Sequence, residues 1–155
     1  MRHIGVMVMF VLALGACSAP SQKSAGQPVV WQGSAAWPVD LDRELEECEA
    51  LVLVWWTPWC APCAREAPAL ARAARGLHGR FSFVGVVAGG EQHASSSEVA
   101  AFVERHDLSY PTVRDHEGEM TRAFGVSSTP TIIVLGAGGR ELFRGSSAPS
   151  WETIK

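Results

Sequence analysis

Absences narrow this 155-residue chain before any motif is read. It has no long basic run and a net charge of −3, so the charge pattern does not point to nucleic acid. It has no internal repeat, which excludes solenoids and arrays. No apolar run reaches the roughly 20 residues of a membrane span. There is no second close cysteine pair, and His78, His93, His106 and His116 are scattered over polar segments. A zinc site needs four ligands, usually two such pairs or one pair with closely spaced histidines, so no metal ligands are assigned. Gly136–Gly139 lacks the lysine of a phosphate loop and joins two strand-like segments, so it is expected to be a turn.

What is present is a chain that is 47% hydrophobic, enough for one ordinary core. Residues 1–17 form a targeting segment: Arg2 is the positive start, and Ile4–Leu14 is uncharged and apolar. It ends in Leu14–Gly15–Ala16–Cys17, which resembles a bacterial lipobox and implies a lipid on Cys17 and anchoring to a membrane. The other reading is ordinary cleavage among the neighbouring small residues, and both export the protein. Residues 18–28, rich in Ser, Ala, Gly, Gln and Pro, read as a flexible tether, and 29–155 as the folded domain. Disulfides persist outside the cytoplasm. Setting Cys17 aside leaves Cys48, Cys60 and Cys63, an odd count that argues against a structural disulfide framework. Cys48 falls on an apolar helix face with Leu41 and Leu45 and is expected to be a small buried hydrophobe.

Strand and helix signals then alternate. Strands are expected at Val29–Trp31, Leu51–Trp56, 81–87, Tyr110–Arg114, Thr131–Leu135 and Arg140–Phe143. Helices are expected at Asp40–Glu49, from about Cys60 towards Leu77, at Glu98–His106 and at Glu117–Phe124. Of the adjacent Trp55 and Trp56, alternation leaves one in the core and one partly exposed. Ser150–Lys155 starts a last helix that barely forms. This order argues for an α/β fold with a mixed central sheet, parallel crossovers first and an antiparallel hairpin last.

The chemistry lies in Cys60–Ala61–Pro62–Cys63, at the start of a helix that follows a buried strand. A sulfur at a helix N-terminus meets unpaired backbone N–H groups and the positive end of the dipole, which favour the nucleophilic thiolate. Cys63 lies nearly one turn further in, close enough to form a disulfide and more shielded. Cys60 is therefore expected to attack a partner disulfide and Cys63 to resolve the mixed disulfide. Pro62 gives up no useful N–H in the first turn.

"WCAPC" after an apolar strand, Pro68 in the following helix, and Thr129–Pro130–Thr131 before a strand resemble the thioredoxin superfamily over essentially residues 29–155. Glu66, which completes a "WCxxCxxExP" pattern, and an added helix–strand unit at about 96–114 resemble its exported TlpA/ResA-type branch. The resemblance implies a thioredoxin-like fold and a thiol–disulfide oxidoreductase with no cofactor beyond the Cys60–Cys63 disulfide. Trp59 would shape the contact surface, and a cis Thr129–Pro130 bond would offer backbone groups to an extended partner segment. Plain thioredoxins carry an acid on the strand where this chain has Val54. A partly desolvated Glu66 would take over as proton acceptor for Cys63. The alternative is a solvated glutamate beside Arg65 and Arg72.

Clients would be exported proteins with disulfides or paired cysteines, as in cytochrome c maturation, with a membrane thiol carrier as electron donor. Ala61–Pro62 supply no cation or side-chain donor to over-stabilise the thiolate, which favours the reductase direction over a thiol oxidase. A peroxidase would need a PxxxTxxC setting, and a copper metallochaperone a CxxxC pair with histidine; neither pattern occurs here. A non-catalytic binding module on the same fold would tolerate loss of either cysteine. The resemblance also implies a full closing helix. "SSAPSWETIK" supplies only a turn or two of it, and part of the sheet is expected to be left uncovered.

Overall fold

A computed structural model describes residues 30–32 and 41–155, with side chains from Arg43 onward. The targeting segment with Cys17, the tether, and residues 33–40 lie outside the described residues. Strands β1 (Val30–Gln32), β2 (Ala50–Trp55), β3 (Phe81–Ala88), β4 (Thr112–Asp115), β5 (Thr131–Leu135) and β6 (Glu141–Gly145) build one sheet. Between them come helices α1 (Leu41–Glu47), α2 (Ala61–Gly76), α3 (Ser96–Arg105) and α4 (Glu119–Ala123). The sheet order is β1-β4-β3-β2-β5-β6. β1, β4, β3 and β2 pair in parallel, and β5 and β6 add on as an antiparallel hairpin. The expected mixed α/β fold is the one observed, and the unit anticipated at 96–114 is α3 followed by β4.

β2 is central because it can be buried on both faces. Ala50, Val52 and Val54 point into the core under α2 and α3, while Leu51, Leu53 and Trp55 point into the core on the other side. This double cover corrects the expectation for the tryptophan pair. Trp55 is 1% exposed and Trp56 2%, each buried in a different core. Alternation assigned the two faces correctly, but neither face is open to solvent.

α2 buries Cys63, Ala67, Leu70, Ala71 and Ala74, a stripe at helical spacing. It runs through Pro68 without ending, although proline withholds one backbone donor there. α3 starts on a reciprocal capping box between Ser95 and Glu98, and it buries Val99, Phe102 and Val103. The β5–β6 turn holds Gly138 and Gly139 at φ 67° and 74°, a region that favours glycine.

Two further expectations are corrected. Cys48 stands just past the end of α1 and is half-buried, so it is not a fully buried member of that helix's apolar face. The final segment covers sheet that was expected to lie open. A short 3₁₀ turn at Trp151–Thr153 sets the Trp151 ring 5.4 Å from that of Phe83 and 6.1 Å from that of Phe81, and Ile154 is buried behind it. Two large apolar side chains do much of the covering that a full helix would do.

Candidate active site

β2 ends at Trp55, and the Trp56 N–H still donates to the Val86 carbonyl at 3.1 Å. A turn follows in which the Cys60 N–H donates to the Thr57 carbonyl at 3.1 Å. Cys60 then caps α2 in extended conformation, at φ −75° and ψ 100°. Its carbonyl accepts the first helical bond, from the Ala64 N–H at 3.1 Å. Its Sγ accepts the Cys63 N–H, also at 3.1 Å. The sulfur occupies the place an oxygen takes in an ordinary N-cap, where orphan donors and the helix dipole favour negative charge. Cys60 and Cys63 are joined as a disulfide with Cα atoms 5.2 Å apart.

Neither cysteine is openly exposed. Cys60 is 8% accessible and Cys63 3%, so Cys60 is the less buried of the two. Beside them Trp59 is 59% exposed, and it is the one exposed large hydrophobic side chain among the described residues. The β2–β5 register pairs Trp55 with Thr131. That register carries Thr129–Pro130, whose peptide bond is cis, to the level of the loop entering the cysteine pair. Pro130 is buried and Thr129 half-buried.

Glu66 follows Cys63 by three residues on α2, so the two side chains share a face. It is half-buried, and it forms no ion pair with Arg65 or Arg72 among the described residues. Its Oε1 instead accepts the backbone N–H of Ala148 at 2.6 Å. Val54 is buried in the same core as the cysteines and brings no acid to the strand side. The Ala148 contact links residues 82 apart in sequence, and nothing in a local motif announces it.

Behind the pair, Trp56 stacks on Phe102 with ring centroids 4.4 Å apart, and Phe102 packs on His106 at the same distance. Burial, and then the charge of Arg105, hold the His106 imidazole below its usual range. Among the described residues no three His, Cys, Asp or Glu side chains converge to hold a metal ion. No helix among them is long and apolar enough to cross a membrane.

Residues 35–142 match the AhpC/TSA family. The chain belongs to that family. Within it, this is a thioredoxin-superfamily protein of the TlpA/ResA type, and it is a thiol–disulfide oxidoreductase with Cys60–Cys63 as its redox pair. The soluble secreted antigen MPT53 of Mycobacterium tuberculosis is 25% identical over 140 residues, 90% of this chain and 78% of the relative. The thiol-disulfide oxidoreductase ResA of Halalkalibacterium halodurans is 32% identical over 98 residues, 63% of this chain and 53% of the relative. A secreted Mycobacterium tuberculosis disulfide oxidoreductase, described as homologous to E. coli DsbE, superposes with a TM-score of 0.55 at 25% identity. That superposition covers 66% of this chain and 71% of the other.

Proposed function

We propose that this protein is an exported reductase of client-protein disulfides, lipid-anchored through Cys17, with a role of the kind needed in cytochrome c maturation. Cys60 thiolate attacks a client disulfide, and Cys63 then displaces the client sulfur, leaving Cys60–Cys63 oxidised. A membrane thiol carrier returns two electrons to the pair, and no other cofactor takes part. The observation that carries the reading is Cys60 as the cap of α2, its sulfur accepting the Cys63 N–H while bonded to Cys63. Trp59, Thr129 and Pro130 serve as the client-contact surface, and Glu66 takes the Cys63 proton.

The reductase direction is supported by Ala61–Pro62, which add no donor or cation to over-stabilise the reduced form. Export is supported by the targeting segment and by the secreted relative MPT53. The test is the Cys60–Cys63 reduction potential measured against glutathione. A value towards the thioredoxin end, about −270 mV, is expected; one near −120 mV makes the protein an oxidant. Mass spectrometry of the mature protein from cells tests the anchor: a lipidated N-terminal Cys17 is expected, and a mature chain cleaved elsewhere removes that part of the proposal.

A further inference from the structure

We propose that the main-chain N–H of Ala148 positions the Glu66 carboxylate to accept the Cys63 proton, making the turn after β6 part of the resolving step. This rests on the reading of Glu66 as proton acceptor given above. A glutamate on a helix surface ordinarily samples many rotamers, and sequence spacing only brings it into the neighbourhood of a residue one turn away. Here the side chain is held by a short bond of 2.6 Å to a backbone donor, the kind a charged acceptor strengthens. The donor is itself rigidly held. Ala148 packs against the core that contains both cysteines, and the segment is pinned further on by Trp151 against Phe81 and Phe83 and by buried Ile154.

The bond engages Oε1, and Oε2 makes no hydrogen bond among the described residues. One oxygen therefore fixes the orientation while the other remains to take a proton, the division of labour expected of a preorganised base.

The chemical step balances. In the mixed disulfide between Cys60 and the client, the proton on Cys63 Sγ passes to Glu66 Oε2. The Cys63 thiolate attacks Cys60 Sγ, forming the Cys60–Cys63 bond and breaking the bond from Cys60 to the client sulfur. The electron pair leaves on the client sulfur, which takes a proton from Glu66 or water. The client disulfide is reduced by two electrons and the cysteine pair is oxidised.

The experiment uses the reduced full-length protein mixed with a peptide disulfide, following Cys60 attack and mixed-disulfide release as separate phases. Glu66→Gln removes the acceptor. Ala148→Pro removes the donor but also constrains the backbone, so a second variant replaces Ala148 with lactic acid, exchanging the N–H for an ester oxygen. Release is expected to slow about tenfold or more in both Glu66→Gln and the ester variant, with attack within about twofold of wild type. Slowed release in Glu66→Gln with normal release in the ester variant overturns the Ala148 assignment and leaves Glu66 in place. Normal release in both overturns the Glu66 reading itself. A parallel fall of attack and release in the ester variant shows a merely structural bond and also overturns the proposal.

Discussion

The two faces of the sheet are built for different work. On one face Leu51, Leu53, Trp55, Val84, Val86, Val113, Met120 and Ile133 make an apolar core. Its indole N–H is satisfied: Trp55 Nε1 donates to Thr121 Oγ1 at 3.2 Å, and that hydroxyl donates to buried Asp115 at 2.7 Å. The other face holds Cys60, Cys63, Trp56 and the aromatic contacts that run to His106 at the rim. There the Trp56 indole N–H is buried with no hydrogen-bond partner among the described residues. Consecutive tryptophans at the end of β2 thus separate support from chemistry, and the sheet serves as the partition. Damage to the first face should cost stability alone; damage to the second should also move the thiols.

The sharpest way to break this division is to truncate each tryptophan. Trp55→Ala and Trp56→Ala should each cost about 3–5 kcal/mol, the usual range for a large buried aromatic. Chemical denaturation measures that loss. Trp55→Ala should leave the disulfide-exchange rate per folded molecule unchanged. Trp56→Ala should alter it, because Trp56 begins the loop that carries Cys60. Equal exchange rates in the two variants would erase the distinction between the faces.

A smaller effect is expected where the second face is most crowded. A Cβ on Gly85 would lie 2.7 Å from Trp56 Nε1 and 2.8 Å from Thr112 Oγ1. Gly85→Ala must push a buried indole and the Thr112 hydroxyl aside, at about 1–3 kcal/mol. Near-UV circular dichroism should show Trp56 displaced, and an unchanged spectrum with unchanged stability would mean that the notch relaxes freely. Smaller again is Asp115→Ala on the supporting face. The carboxylate accepts the N–H groups of Met120 and Thr121 at 3.2 and 2.8 Å, satisfying donors at the start of α4. Its loss should cost about 0.5–2 kcal/mol, by analogy with a lost helix cap, and should leave the exchange rate intact.

How much of this was legible in the sequence depended on whether the signal was local. The continuous apolar run at 51–56 marked β2, and helical spacing marked α3 to within two residues of its start, because strand burial and helical periodicity are written in neighbouring residues. Cys60 and Cys63 were legible for the same reason: their spacing at a helix start carries the geometry. The burial of both Trp55 and Trp56 was missed because it depends on packing over both faces of the sheet, a tertiary event that a strand pattern does not encode. The Ala148 N–H had no side-chain signature at all, since any residue but proline supplies the same donor.

The smallest expected effect is in pH, and it belongs to the chemistry face. His106 packs on Phe102, and burial with the neighbouring Arg105 lowers its proton affinity in the folded state. The unfolded chain titrates this side chain near its ordinary value of about 6.5. Above that value both states are neutral at His106 and the residue contributes nothing to the pH dependence. As pH falls through it, the unfolded chain takes up the proton first, so stability declines until the folded form is protonated too. Glu91 and Glu98, whose carboxyls are held low chiefly by Ser96 and Ser95, lose their contributions only further down, in the carboxylate range. Denaturation midpoints measured between pH 7 and 5 should therefore fall in the wild type and fall less in His106→Gln. Because Phe102 is also stacked on Trp56, indole fluorescence should follow the same titration. A fluorescence change that persists in His106→Gln would place its source elsewhere and detach the rim histidine from the loop behind the cysteines.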